Sequence, residues 1–300
     1  MLTQKTADRV QARPEARSLV YVGGGSGHGE ILRLMSPSDL GEQLKPFVFL
    51  DLFAGDMRLL QHAMPLHPHS GIATVTVFTE GDVIYDDPQA GTGTLGFGGV
   101  EWMRAGGGVW HGKELTAGES ARIQGYQLWV ALPPGLENGP VESQYVEANA
   151  TPQAGPARVI LGSHAGATSP VRSPDGIVYL LVQLVPGERW SFKPAAGHRV
   201  GWFAVAKGAV DAGRTVKRGQ MAIFADGEDA MLFEADASDG ATFVVGAAVP
   251  HDHPLFLGYY SVHTSAEALA AGEQRIAELG ARLAEAGDRR TGSGNVPVFR

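Results

Sequence analysis

Apolar and polar side chains alternate along Ala73-Thr74-Val75-Thr76-Val77-Phe78, and similar short runs, cut by Gly, Pro and Asp, recur from Phe47 to about Pro133. Successive side chains of a strand point to opposite faces, so this pattern predicts half-buried strands; their close recurrence, with few helical periods, predicts a β-sandwich or barrel. Upstream, Ser18-Leu19-Val20-Tyr21-Val22 reads as a further strand, and a second set follows in Ile177-Val178-Tyr179-Leu180-Leu181-Val182, residues 200–205 and residues 216–224. Between them residues 134–172 are rich in Pro, Gly and Ala and predict a linker. In the tail Leu269, Ile276, Leu279 and Leu283 recur near helical spacing, and Thr264-Ser265-Ala266-Glu267 reads as a capping box. The expected organisation is an N-terminal β domain over 18–133, a linker over 134–172, a second β domain over 173–256 and a C-terminal segment with a helix over 257–287. Residues 1–17 and those from Gly287 are expected to be loose.

Composition narrows the function. A chain of 300 residues, 44% hydrophobic, has ample material for a core. The formal charge of -8, with no basic run, excludes a general nucleic-acid or anionic-membrane surface, which needs clustered Lys and Arg. The absence of cysteine removes disulfides, thiolate ligands and cysteine nucleophiles. No signal-like or membrane-spanning apolar run occurs, so a cytoplasmic location is expected.

The candidate chemistry is histidine. In His67-Pro68-His69 the two imidazoles fall on one face of an extended strand, and His111 is the histidine a returning strand can best bring beside them. Three neutral imidazoles suit Fe, Ni, Cu or Zn better than Ca or Mg; on spacing alone, polar decoration of a strand end is the commoner meaning of such a pair. Elsewhere the signals are weaker. Gly23-Gly24-Gly25-Ser26-Gly27-His28-Gly29-Glu30 follows a strand but has Glu30 where a phosphate loop needs lysine, so a flexible loop is expected. His251-Asp252-His253 is bracketed by Pro250 and Pro254 and predicts a rigid surface loop. His164 is expected at the surface, and Trp102, Trp110 and Trp129 in the core or at its rim.

Several motifs, in order, resemble the pirin family of the cupin superfamily. His67-Pro68-His69 leads through Gly71, Thr74-Val75-Thr76 and Glu80-Gly81 to Trp102-Met103-Arg104-Ala105-Gly106-Gly107-Gly108-Val109-Trp110-His111. Upstream, Pro46-Phe47-Val48-Phe49-Leu50-Asp51-Leu52-Phe53 is similar to the family's first barrel strand; downstream, Gly125-Tyr126-Gln127-Leu128-Trp129-Val130-Ala131-Leu132-Pro133 is similar to its Gly-Phe-Gln-Leu-Trp-Val-Asn-Leu-Pro. The resemblance continues weakly to about residue 285. It implies an all-β fold of two cupin-type β-barrels, a bicupin, with a C-terminal helix. It also implies a divalent transition metal, usually iron, held by His67, His69 and His111. The second barrel is expected to be degenerate, because Trp190-Ser191-Phe192 stands where a His-x-His pair would lie.

The departures are chemically pointed. Lys113 stands where the family places a glutamate ligand, Ala73 where it usually has a glutamate, and Tyr85 where it usually has a histidine. An ammonium cannot coordinate a cation unless it loses its proton. Three arrangements stay open: Glu114 completes the shell through a bulge at Gly112, the imidazoles suffice with water, or Lys113 replaces the ion and the pocket is metal-free. Two functions follow from the resemblance. One is a metal-dependent dioxygenase acting on a flavonol-type substrate, of the quercetin 2,3-dioxygenase kind, with no evident base. The other is a noncatalytic regulatory or binding pirin, taking a small aromatic or anionic ligand or a protein partner.

Overall fold

The structure, a computed structural model, describes residues 16–63, 66–87, 90–112 and 114–286; Lys113, residues 1–15 and residues 287–300 lie outside the described residues. Its first part contains β1 (Leu19–Gly24), β2 (Ser26–His28), β3 (Ile31–Met35), β4 (Phe47–Gly55), β5 (His67–His69), β6 (Ile72–Glu80), β7 (Val100–Arg104), β8 (Val109–His111), β9 (Ile123–Ala131) and β10 (Glu142–Val146). Seven of these form an antiparallel sheet in the order β10-β7-β6-β9-β4-β3-β2, while β5 and β8 pair only with each other. The second part adds β11 (Ala157–Leu161), β12 (Ile177–Leu184), β13 (Val200–Asp211), β14 (Gln220–Phe224) and β15 (Ala241–Ala248). They run β1-β14-β13-β15-β12-β11 along a second sheet. A hairpin of β16 (Phe256–Gly258) and β17 (Ser261–His263) then leads into the C-terminal helix, Ala266–Ala286.

Four local features differ from the sequence reading. The strand β1, expected with the first domain, pairs with β14 of the second sheet, and the glycine run that follows carries the chain across to β2 rather than forming a free loop. The stretch expected as linker holds β10 in the first sheet and β11 in the second. These strands are short, and their Pro- and Gly-rich flanks mask the alternation. Arg17, expected to be loose, is buried, its guanidinium donating to the carbonyl oxygens of Ala225 and Arg199 at 2.8 and 2.6 Å. The helix cap is Ser265, whose hydroxyl accepts from the Ala268 amide at 3.1 Å; Thr264 is drawn away because its amide and hydroxyl both donate to buried Glu137, each at 2.6 Å. Ile276, Leu279 and Leu283 form the buried stripe the spacing predicts, with Leu269 half-buried.

Period-two alternation assigns the two faces of each sheet. Val75, Val77, Trp102, Tyr126, Leu128, Leu50 and Leu52 of the first sheet meet Tyr179, Leu181, Trp202, Ala204, Met221 and Val244 of the second in one shared core. The other face of the second sheet is filled by its own side chains, including Phe192, Phe203, Phe224, Phe233 and Phe243. The other face of the first sheet is only partly filled, by clusters around Phe78 and Trp129, and there the site lies.

Candidate functional site

The β5·β8 ribbon sets the histidines. Its register places His111 directly opposite His67 and Val109 opposite His69, and the period of two puts His67 and His69 on one face. Ring centroids are 4.9 Å apart for His67 and His69, 4.6 Å for His67 and His111, and 5.1 Å for His69 and His111. The nitrogens able to ligate lie within 4.8 Å of one another, and among the described residues this is the cluster of three or more His, Cys, Asp or Glu close enough to share an ion.

Neighbouring groups orient each ring. His69 Nδ1 donates to the Tyr260 carbonyl at 3.0 Å, which fixes the tautomer and leaves Nε2 with its lone pair. His111 Nδ1 faces the buried Glu114 carboxylate at 3.8 Å, while its Nε2 is buried without a hydrogen-bond partner. Burial, with the neighbouring His67, pushes the His69 imidazole down to about 3; burial, His67 and His69 push His111 well below the usual histidine range. Both rings are therefore neutral at pH 7. The Glu114 carboxylate therefore lies behind a neutral His111 without forming an ion pair with it and beyond hydrogen-bond distance. Gly112, at φ 130, supplies the backbone turn, and its amide donates to Glu114 Oε2 at 2.9 Å. Glu114 thus stands behind the triad, outside the group of candidate ligands.

The C-terminal hairpin and helix clamp this ribbon. Gly71, at φ 76, lets the chain turn after His69 so closely against β17 that a Cβ there would lie 1.9 Å from the Val262 carbonyl oxygen. Ser70 Oγ donates to Ser261 Oγ at 2.8 Å and lies 2.9 Å from His263 Nε2, and on the other strand Trp110 Nε1 donates to the Ile276 carbonyl at 2.8 Å.

Beside the triad is a cavity of about 300 Å³ inside the first barrel. Phe49, Phe53, Phe78 and Trp129 give it aromatic walls. Trp129 stacks on Phe49 at 4.1 Å and meets His69 edge-on at 4.9 Å, while the Arg33 guanidinium lies 4.1 Å over Phe49. One polar row crosses the floor: Arg33, Asp51, Gln127, Thr76 and Glu101 are direct cross-strand partners on β3, β4, β9, β6 and β7. Arg33 is paired with Asp51, and Thr76 Oγ1 donates to Glu101 Oε2 at 2.7 Å. Glu101 is buried, and desolvation first, then the Glu114 charge, push its carboxyl up to about 7.

Sequence reasoning missed Glu101 and Tyr260. The first could have been found by registering Glu101 against Thr76 on the cavity face; the second arrives from beyond the second barrel with no local signal. The Ala73 position, counted as a loss, faces the shared core, so its small side chain takes nothing from the cavity. Tyr85 stacks on Tyr145 at 4.3 Å, away from the cavity lining. Trp102 is core, whereas buried Trp129 also walls the cavity. His164 is half-buried against Trp190 and Phe192, at 5.9 and 5.2 Å. His251 and His253 lie in a loop with their rings 5.2 Å apart.

Two stacked barrels, one filled and one opening a histidine-rimmed cavity, define a bicupin. The family profile for pirins matches residues 30–130. A pirin-like protein of Caulobacter vibrioides is 31% identical over 225 residues, covering 70% of this chain and 75% of the relative. The chain belongs to the pirin family. Among solved structures, a quercetin 2,3-dioxygenase from Acinetobacter baumannii superposes with a TM-score of 0.73 at 24% identity, covering 87% of this chain and 96% of that one. The Escherichia coli pirin YhhW in complex with nickel(II) superposes with a TM-score of 0.56 at 18% identity, covering 77% and 99%. The all-β bicupin with a C-terminal helix is thus the fold. No helix among the described residues is long and apolar enough to cross a membrane.

Proposed function

We propose that this pirin is a metal-dependent dioxygenase acting on a flavonol-type substrate, with His67, His69 and His111 holding a divalent transition metal such as iron. The observation that carries the reading is the imidazole triad, with the His69 and His111 rings kept neutral by burial and one buried nitrogen unpartnered, at the edge of an aromatic-walled cavity. Such a donor set fits Fe, Ni, Cu or Zn. When bound, the ion supplies Lewis acidity at an enol oxygen and a centre for O₂ chemistry. The chain does the rest: Phe49, Phe53, Phe78 and Trp129 sandwich a flat ring system and exclude water, the Arg33–Asp51 pair and Gln127 meet polar groups along its edge, and the Tyr260 carbonyl keeps the His69 ring aimed. The quercetin 2,3-dioxygenase with the same fold supports the substrate class, and the pirin in complex with nickel(II) supports a metal ion in this family.

Quercetin-dependent oxygen uptake by the chain reconstituted in turn with iron, nickel and copper tests the proposal. Uptake lost in His69→Ala is the expected result; no uptake with any of the three metals contradicts it. A second reading rests on Lys113 in place of the family's glutamate ligand: a metal-free pirin that binds an aromatic or anionic ligand, or a protein partner, without turnover. Ligand binding with no metal and no oxygen uptake would favour it.

A further inference from the structure

The family's ligand-strand carboxylate is replaced by Lys113, which leaves the proposed reaction without a base. Of the three carboxylates lining the cavity, Asp51 is paired with Arg33 and Glu114 accepts from the Gly112 amide behind the triad, which leaves Glu101. Glu101 projects from β7 into the cavity lining at the end of the polar row. Thr76 Oγ1 engages its Oε2 at 2.7 Å, and Oε1 has no hydrogen-bond donor among the described residues. A structural glutamate, in contrast, would have both oxygens tied, as Glu137 has: its Oε1 and Oε2 accept from the Thr264 hydroxyl and amide.

We propose that Glu101 is the proton acceptor of this cavity, taking the proton of a substrate enol hydroxyl. The inference rests on the oxygenase reading for its substrate class. In the step, the substrate O–H bond breaks and an O–H bond forms on Glu101; the carboxylate becomes a neutral acid, the substrate an enolate, and nothing is oxidised or reduced. The acid then returns its proton to the departing product. The charged and titratable groups around Glu101 are Glu114 and Asp87, which raise its proton affinity, Arg33 and Asp51 in the same row, and the imidazoles of His67, His69 and His111 on the β5·β8 ribbon. Burial and the nearby carboxylates bring Glu101 close to neutrality, where a base is most effective. The Thr76 hydroxyl acts in the opposite sense, favouring the ionised form.

The test is the absorption spectrum of quercetin bound to the full chain as isolated, titrated from mildly acidic to mildly basic pH, because the enolate absorbs at longer wavelength than the neutral form. The native chain is expected to bind quercetin and convert it to the enolate with a midpoint near neutrality. Glu101→Gln keeps the shape of the side chain and a partner for Thr76; it should still bind but convert quercetin only at a pH at least about one unit higher, the bound hydroxyl holding its proton about tenfold more tightly once the acceptor is gone. Equal midpoints in native chain and Glu101→Gln would overturn the assignment and leave the oxygenase reading standing. Failure of the native chain to bind quercetin would overturn both.

Discussion

At the scale of single residues, the site depends on which groups are charged. Glu101 has its carboxyl raised from 4.5 to about 7, so between those values the folded chain holds a proton that the unfolded chain releases. Its contribution to stability is therefore fully present below pH 4.5 and is lost as the pH rises through about 7. A shift of that size corresponds to about 3 kcal/mol. Glu101→Gln should accordingly be more stable than the native chain at mildly basic pH, by up to about 3 kcal/mol, with the advantage vanishing in acid. Denaturant midpoints at the two extremes check this, and equal midpoints at both contradict it. The histidines were legible because a period of two puts His67 and His69 on one face whatever the rest of the fold does. Glu101 was not, because its meaning comes from Thr76 on the neighbouring strand, and cross-strand register is not written in either strand alone. The reverse error occurred at Ala73, where a family position was counted as part of the site although its parity turns it into the shared core.

Among the elements, the β5·β8 ribbon is too small to hold three imidazoles by itself, and its support comes from the far end of the chain. Gly71→Ala would place a methyl 1.9 Å from the Val262 carbonyl oxygen at a φ of 76. The expected cost is about 2–4 kcal/mol, read as a lower midpoint in thermal or denaturant unfolding; a change within about 0.5 kcal/mol would show that the hairpin is not seated as described. Trp110→Phe keeps an aromatic ring against the C-terminal helix but removes the 2.8 Å hydrogen bond to Ile276, and should cost about 1 kcal/mol by the same measurement. The amphipathic spacing of Ile276, Leu279 and Leu283 made the helix legible. Its cap shifted from Thr264 to Ser265 because the buried Glu137 carboxylate competes for Thr264, a tertiary contact that no local motif contains.

Across the whole molecule, the two barrels are unequal halves joined by one core. The second barrel is packed with phenylalanines where the first keeps a cavity, which accounts for the sequence difference between Trp190-Ser191-Phe192 and His67-Pro68-His69. Fold class was legible from alternation and motif order, while the exchange of β1 into the second sheet was not, since a strand of six residues beside a glycine run pairs equally well with either half. Trp202, fully buried between the sheets and edge-on to Phe47 at 5.4 Å, should when replaced by alanine cost about 3–5 kcal/mol and lower a single transition that reports both halves. Separate transitions for the two barrels would contradict a shared core. The central claim remains the imidazole triad, and metal analysis of chain purified without an affinity tag, then reconstituted and dialysed, tests it most directly. About one equivalent of iron, nickel or copper should stay with the native chain and be lost from His69→Ala; a native chain that retains no metal under the same treatment would contradict it.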